Sequence, residues 1–498
     1  MSVIKKQSIL NSIYSYLGAG IGIITQGFII PNYFTPEENG LLALLLSYMF
    51  IFCQIASLGF NNAGTKYFSF FRNYQTNHRG YLNLGFKTQL LGYIGGVCVL
   101  WLLKDYIIQT NSNGNELFAE NFNFIFVMAS ATMIFNLFDN YLKGLYNTSA
   151  GTLYSQFFQR LFLLIAVSIY ALKLVDFHQF IYLWIVAISL PTLFIIIKAL
   201  SVSGLNFLPS KDFPTSHIRP RFIKFASFSI FTGLSSMIVL QLDKIMVYKY
   251  LGLGNTGIYN TCLLFASLLG MAYVGIHKAS SAIVIDAMEK EEYNKVESIY
   301  KKSSINLYIF GLFIMLIVWV NIDQLFGFIK PEYSIGKTAL IIIGFSKLFD
   351  LLTGINSLIL ANSKYYKIDS VLIISFVFVL YLLNQWLIPI YKLNGAAVAS
   401  LLAIIYYNTL RSLLVWHYFK IQPLGQEQLI ATIISGLVVY IGFMLPTLES
   451  PAISIIYKSF ITGFLFLGLI YFFQVSKDIN TLFIQILTKM TDIINGKS

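Results

Sequence analysis

Charge is scarce in this sequence, and its scarcity limits what the chain can be. Of the 498 residues only 11% are Asp, Glu, Lys or Arg, whereas 57% are hydrophobic. Soluble domains contain about 25% charged residues, so this chain has too little polar surface to cover a soluble fold of its size. The composition excludes a soluble enzyme, a disordered protein and a nucleic-acid-binding domain.

Cysteine and histidine are also rare. The three cysteines, Cys53, Cys98 and Cys262, lie far apart in apolar runs, and the five histidines show no metal-ligand spacing. An odd cysteine count without a CxxC pair argues against a disulfide framework and a zinc site. No Walker A motif is present. We therefore expect no cofactor and an energy supply from an ion gradient or from the flux of substrate.

Long apolar runs dominate the chain. A transmembrane helix needs about 20 predominantly apolar residues. The first such run extends from about Ile9 to Ile30 and carries no cleavage site. Thirteen more are centred near residues 50, 92, 132, 163, 188, 235, 268, 312, 349, 378, 405, 437 and 463. The pattern predicts an all-α polytopic membrane protein with about fourteen transmembrane helices.

The distribution of Lys and Arg predicts the orientation of these helices. If the N-terminus is cytoplasmic, most basic residues fall in inner segments, above all in 61–80, 198–224 and 278–302. Cytoplasmic loops of membrane proteins are enriched in Lys and Arg. We expect both termini to be cytoplasmic. The alternating apolar and charged residues of 285–302 predict an amphipathic helix at the membrane surface.

Two similar halves are indicated by the sequence. The basic segment 201–221 contains three prolines and separates an N-terminal half from a C-terminal half. Residues 33–40 and 250–257 each run from a Tyr through a short turn to a Gly that opens the next helix, with an offset of 217. Both copies start from the same side of the membrane, which predicts a parallel repeat. Such repeats are typical of secondary transporters, whose substrate site lies between the halves.

Several charged residues fall inside the predicted membrane helices. A charge at the centre of such a helix costs at least roughly 2.5 to 3.5 kcal/mol, so each must face protein, a water cavity or the interface. We expect Asp139 to pair with Lys143 one turn away, and Lys87 to reach the inner surface. The other embedded charges are Arg160, Asp243, Lys244, Lys347 and Asp350.

Lys347 and Asp350 share one helix face, because they are three residues apart. Two interpretations stay open for them, a self-neutralised pair that locks helix packing and a pair that lines a cavity. The embedded cations outnumber the embedded acids, and Lys66, Arg72 and Lys278 add positive charge at the inner mouth. A cationic vestibule favours an anionic substrate, with phosphate as the main candidate.

Several short motifs occur in the two halves and near the predicted eleventh and twelfth helices: 36–40, 241–246, 250–252, 257–259, 356–360, Lys364, Asn384, 387–389, Tyr391, 395–397, Ala399 and Ser400. These motifs resemble those of the polysaccharide-repeat flippases of the Wzx type, members of the MOP superfamily that also contains MATE exporters and lipid II flippases. One departure is the stretch 392–394, where the family often has Gly soon after the aromatic residue.

The resemblance implies a fold and a division of the chain. It implies two pseudo-symmetric six-helix bundles, residues 1–200 and 222–420, joined by the cytoplasmic linker 201–221. Two additional helices, 421–475, and a cytoplasmic tail, 476–498, would follow. The expected location is the inner membrane of a bacterium.

The resemblance also implies an activity. It implies a flippase, not an enzyme, that moves an undecaprenyl-diphosphate-linked oligosaccharide repeat unit across the inner membrane by alternating access. Membrane lipids, and the polymerase and glycosyltransferases of the same pathway, would be its partners. Substrate would contact cavity cations, and an acidic residue would carry a coupling H⁺ or Na⁺; the candidates are Lys347, Arg160, Lys244, Lys87 and Lys66 for substrate and Asp243 and Asp350 for the ion.

Three alternatives stay open at this stage. A MATE-like antiporter of small cations would need an acidic cavity. A lipid II flippase would obey the same physical chemistry as the flippase proposed from the resemblance. A membrane glycan polymerase would need catalytic groups outside the membrane, and the outer loops offer only scattered acids, Glu116, Glu120 and Glu332.

Overall fold

The structure, a computed structural model, describes residues 3–109, 116–203 and 218–481, together with 484, 485 and 488. In these ranges the chain is almost wholly helical and contains no strand, which confirms the predicted fold class. Most of the predicted linker, residues 204–217, and most of the predicted tail lie outside the described residues.

Ten helical stretches of the described chain are long and apolar enough to cross a membrane. Two of them are longer than one crossing and contain a non-helical residue, Gly252 in Ile218–Glu289 and Lys392 in Tyr366–Phe419. The helices Tyr81–Leu102 and Lys337–Leu352 lie where the third and tenth crossings are predicted. A count of fourteen stays a prediction.

The helices form two compact units, Met1–Thr261 and Cys262–Ser498. The predicted division into six-helix bundles stays a prediction. The first unit holds twelve helices, the last of which extends six residues past Thr261: α1 (Val3–Ile23), α2 (Ile30–Tyr33), α3 (Pro36–Ala56), α4 (Phe60–Phe71), α5 (Tyr81–Leu102), α6 (Lys104–Gln109), α7 (Glu116–Asn121), α8 (Phe124–Gly144), α9 (Ser149–Thr152), α10 (Gln159–Ala171), α11 (Phe177–Ser203) and α12 (Ile218–Ser267).

The second unit holds the remaining helices: α13 (Met271–Glu289), α14 (Tyr293–Val320), α15 (Ile322–Gly327), α16 (Lys337–Leu352), α17 (Asn356–Ala361), α18 (Tyr366–Phe419), α19 (Gln426–Met444) and α20 (Pro451–Phe472). The predicted surface helix over 285–302 is wrong. That segment consists of the end of α13, a turn at Lys290–Glu292 and the start of α14, so its charges belong to a hairpin between two long helices.

Two stretches of wider π-helix interrupt the first unit. Ile24–Ile29 links α1 to α2, and Leu153–Phe158 links α9 to α10. Segments of this kind are frequent at functional sites. Helix α1 packs along Leu153–Phe158, so both irregular segments lie in the same part of the unit.

The backbone of residue 252 has a conformation that is unfavourable for any residue with a side chain. Gly252 has φ 83° and ψ −178°, and a Cβ atom there would meet no heavy atom within 4 Å. This region is essentially restricted to glycine, at a cost of about 1–3 kcal/mol for other residues. The strain of a substitution would therefore come from the backbone alone.

We expect Gly252→Ala to lower the melting temperature of the purified protein in detergent, because alanine opposes this backbone conformation. Gly270→Ala is the matched control, since Gly270 also has open space but lies at φ −85°. The free energy of unfolding of the control should lie within about 0.5 kcal/mol of that of the parent, so its melting temperature should hardly change. Equal melting of the two variants would contradict the assignment of strain to residue 252.

Candidate functional site

Arg160 lies at the middle of a membrane span. The span Ser149–Ala171 extends eleven residues to either side of it, which places the residue about 16 Å from both ends. Within the described chain its guanidinium forms no ion pair and no hydrogen bond, and the side chain is half-buried. A charge at this depth without a partner must be served by water in a cavity or by a ligand.

Two glycines of α1 make room for Arg160. A Cβ on Gly22 would lie 2.0 Å from Arg160 Nη1, and one on Gly18 would lie 1.8 Å from the carbonyl oxygen of Gln156. The residues on each helix are four apart, so one face of α1 packs directly on one face of the fifth predicted span. Small residues at such crossings let helix backbones approach closely in a membrane.

Lys66 and Lys87 lie in another part of the same unit. Lys66 is on α4, with its Nζ 4.0 Å from the centre of the Phe225 ring, and Lys87 is exposed near the start of α5. Helix α5 packs on α3, α4 and α8, whereas α10 packs on α1 and α11. The structure therefore does not bring these two lysines next to Arg160.

Asp243 and Lys244 lie on α12, where Asp243 is buried and Lys244 is half-buried. Gln241, two residues earlier, accepts a 3.0 Å hydrogen bond from Ser47 of α3. The Lys244 ammonium forms no ion pair or hydrogen bond within the described ranges. The contact of α12 with α3 fixes the position of both charged residues.

The two similar turns of the sequence meet each other in the structure. A Cβ on Gly40 would lie 2.0 Å from the Leu253 carbonyl oxygen, and one on Gly257 would lie 2.0 Å from the Pro36 carbonyl oxygen. Residues 40 and 257, and residues 36 and 253, are the pairs matched by the offset of 217. The contact thus has a local pseudo-twofold symmetry, which supports the repeat predicted from the sequence.

A buried hydrogen-bond pair reinforces this contact. The Asn39 amide donates to the carbonyl oxygen of Gly257 at 3.0 Å and to the hydroxyl of Thr261 at 3.1 Å. A capping box between Thr35 and Glu38 starts α3 at this point and orients Asn39. The contact therefore holds the start of α3 against the part of α12 that follows Gly252.

In the second unit, Lys347 and Asp350 do not form the self-neutralised pair that was one of the two interpretations. Asp350 accepts a 2.9 Å hydrogen bond from Asn408, whose own amide oxygen accepts from Asn356 at 3.3 Å. Lys347 is half-buried in α16 and, among the described residues, its ammonium has no hydrogen bond or ion pair. The interpretation as a locked pair is wrong because the acid has a different partner.

A buried ion pair in this unit was not predicted from the sequence. Arg411 and Asp369, both on α18, are more than nine-tenths buried, and two guanidinium nitrogens donate to one carboxylate oxygen at 2.9 and 2.6 Å. Tyr407 also contacts the guanidinium. The available signal was an arginine inside the apolar run 401–416.

The embedded charges fall into two classes. The acids have local partners: Asp139 pairs with Lys143 at 2.5 Å, as predicted, Asp350 is bound by Asn408, and Asp369 is paired with Arg411. Asp243 is buried and also interacts. Arg160 and Lys347 form neither ion pairs nor hydrogen bonds within the described chain.

A comparison with known protein families shows to which family the chain belongs. A sequence model described as "Polysaccharide biosynthesis protein" matches residues 4–284, which is more than half of the chain. The chain belongs to the polysaccharide biosynthesis protein family. The predicted membership of this group is thus confirmed.

Solved structures show how this family member is folded. The chain is similar to "Lipid II flippase MurJ, inward closed conformation", with TM-score 0.72 and 14% identity over 94% of this chain and 100% of that one. It is also similar to an inward-facing MATE multidrug resistance transporter of the MOP superfamily, with TM-score 0.66 and 13% identity over 82% and 98% of the two chains. A comparison with curated proteins finds no match.

Identities this low establish the fold alone. Both solved proteins are transporters by name, in agreement with the prediction of a transporter rather than an enzyme. This polysaccharide biosynthesis protein therefore has a MurJ- and MATE-like fold in a multi-pass membrane chain.

We expect Asp369→Asn to lower the free energy of unfolding of this protein by about 3–5 kcal/mol, because the substitution leaves Arg411 buried without a counter-charge. The double variant Asp369→Leu with Arg411→Met should recover much of the loss. Glu297→Gln is the control, since its 2.8 Å pair with Lys301 is partly exposed and should contribute at most about 1 kcal/mol. Thermal unfolding in detergent measures all three. A loss in Asp369→Asn no larger than in the control would show that Arg411 does not depend on this counter-charge.

Proposed function

We propose that this protein is a flippase that moves an undecaprenyl-diphosphate-linked oligosaccharide repeat unit from the inner to the outer leaflet of the bacterial cytoplasmic membrane, for the synthesis of a surface polysaccharide such as O-antigen. The observation that carries the proposal is that Arg160, at the middle of its span, and Lys347, on the helix of the predicted tenth crossing, are cations without ion-pair or hydrogen-bond partners in the described chain. Family membership and the flippase-like fold support it.

Charge balance connects these cations with the proposed cargo. A diphosphate entering the membrane brings negative charge that the protein has to stabilise. A guanidinium binds phosphate oxygens through two parallel hydrogen bonds, and an ammonium acts as a point charge. Arg160 and Lys347 provide one of each, and Lys244 is a third candidate. Lys66 and Lys87 would attract the cargo at the inner surface.

A small-cation antiporter fits this arrangement less well. Such a protein needs an acidic cavity, whereas Arg160 and Lys347 place positive charge without a counter-charge inside the predicted spans. Asp243 and Asp350 remain our candidates for binding a coupling H⁺ or Na⁺. A lipid II flippase shares the proposed physical chemistry and differs only in cargo, and a glycan polymerase is disfavoured by family and fold. Within the pathway, the polymerase and the glycosyltransferases would be the partners.

In a transporter with alternating access, the contact between α3 and α12 would be part of the outer gate. Gly40 and Gly257 lie at the predicted outer ends of their helices and touch backbone to backbone. A cargo with a large head group leaves on the outer side only if this contact opens. The contact would therefore act as a gate that is closed in this structure.

The flippase proposal is tested by deleting the gene and analysing lipid-linked glycans by leaflet. We expect complete repeat units to accumulate on the cytoplasmic side and surface polysaccharide to be lost. Complementation with Arg160→Gln or Lys347→Gln should restore less than about a tenth of the polysaccharide, since each removes an ionic contact worth about 1.5–3 kcal/mol. Lys302→Gln, which removes a surface charge, is the control. Repeat units found outside but unpolymerised would contradict the proposal and favour an enzyme.

The gate is tested by a reversible cross-link in a Cys98→Ser background, because Cys98 is the exposed native cysteine while Cys53 and Cys262 are buried. In this structure a Cβ at residue 254 would lie 2.6 Å from a Glu37 carboxylate oxygen. We expect oxidation of Glu37→Cys with Gly254→Cys to stop transport and reductant to restore it. Each single-cysteine variant should be insensitive to oxidation. Full transport by the cross-linked protein would show that the contact does not open.

A further inference from the structure

An apolar groove lies in the first unit beside the start of α12. It has a volume of about 430 Å³ and is lined by the turn after α3, by α4 and α5, and by the first turns of α12. Its lining side chains are mostly apolar: Leu58, Phe60, Phe71, Leu84, Ile218, Phe222, Ile223, Ala226 and Ile230, with Thr88, Arg219 and Ser227 as the polar exceptions. Ligand pockets span about 300–1,000 Å³, so the groove is of a size that binds a small apolar group.

The shape of the groove is held rigidly. A Cβ on Gly59, whose φ is 71°, would lie 2.1 Å from the carbonyl oxygen of Ala226, so the loop before α4 rests directly on α12. The Phe222 ring packs against those of Phe60 and Phe71 at 5.8 and 6.1 Å between centres. The groove is therefore a feature of the packed fold with an aromatic base.

Two cations flank the groove from different walls. Arg219 lines it on α12, and Lys87 on α5 lies next to Thr88 and one turn after Leu84, both of which are lining residues. Both side chains are exposed, and neither forms an ion pair or hydrogen bond within the described residues. The local charge is wholly positive, because segments 57–88 and 218–230 contain seven Lys and Arg residues and no Asp or Glu.

An apolar groove next to unpaired cations is complementary to a molecule with a hydrocarbon chain and an anionic head. Basic pockets between transmembrane helices on the cytoplasmic side are sites for anionic lipid head groups. The volume suits one chain of an ordinary phospholipid better than the long polyisoprenyl chain of the proposed cargo. Both segments lie at the predicted cytoplasmic side, where such lipids are at hand.

From this geometry we infer that the groove is a specific site for an anionic phospholipid, with one acyl chain against Phe222 and the phosphate between Arg219 and Lys87. The bound lipid fastens the first turns of α12 to α4 and α5. The inference is independent of the cargo and holds whether or not the protein moves a lipid-linked oligosaccharide.

The test is a titration of the delipidated full-length protein with phosphatidylglycerol or phosphatidylcholine, followed by native mass spectrometry. We expect phosphatidylglycerol to bind at one tight site and phosphatidylcholine to bind at least tenfold more weakly. Arg219→Gln and Lys87→Gln should each weaken phosphatidylglycerol about fivefold, the effect of one charge near a membrane surface. Ser227→Trp fills the groove from an exposed position and should abolish the tight site.

Lys302→Gln is the matched control, because Lys302 is an exposed lysine of the second unit on the same predicted side, without an ion pair or hydrogen bond in the described chain. It should leave lipid binding unchanged. Equal weakening by this control, equal binding of phosphatidylcholine, or tight binding that survives Ser227→Trp would overturn the inference. Displacement of phosphatidylglycerol by an equal or lower concentration of undecaprenyl diphosphate would assign the groove to the cargo instead. A dimer that Ser227→Trp dissociates, without lipid binding, would assign it to a second copy of the chain.

Discussion

The cost of placing a charge in hydrocarbon organises the polar side chains of this protein. Each embedded charge has to be neutralised, hydrated or brought to an interface. Asp139 and Asp369 each pair with a basic residue of their own helix. Asp350 accepts a hydrogen bond from the amide of Asn408. Arg160, Lys244 and Lys347 have no ion pair or hydrogen bond within the described residues, and we propose that these cations bind an anionic cargo.

Glycine residues let the helices of the first unit pack closely at two places. Apolar surface gives little drive for association between helices that are already in lipid, so helices associate through van der Waals packing and interhelical hydrogen bonds. Gly18 and Gly22 let α1 lie directly on the span that carries Arg160. Gly40 and Gly257 do the same where α3 meets α12. The first contact positions Arg160, the charge that we propose binds cargo, and the second is the contact that we propose opens during transport.

Much of this arrangement follows from the sequence because the physical signals are local. Helix class follows from the length of the apolar runs, and the Asp139–Lys143 pair follows from its i, i+4 spacing. The equivalence of residues 40 and 257 also follows, because a close helix contact demands glycine in both copies of a repeat. These features need no knowledge of which helices are neighbours in space.

Other features depend on contacts between distant parts of the chain and could not be predicted. Asp350 shares a helix face with Lys347, yet its partner is Asn408, 58 residues away. The pair of Arg411 with Asp369 spans 42 residues, so no local spacing predicts it. Periodicity also misjudged 285–302, since two helix ends that meet in a hairpin show the same charge pattern as one surface helix.

The central claim is that unpaired cations within the spans select a diphosphate-bearing cargo, and reconstitution tests it most directly. The purified protein in liposomes is given two lipid-linked oligosaccharides with the same glycan, one joined through diphosphate and one through a neutral linkage. We expect the diphosphate-linked lipid to cross the bilayer at least tenfold faster, and Arg160→Gln to remove the difference. Equal rates for both lipids in the unmodified protein would contradict the claim.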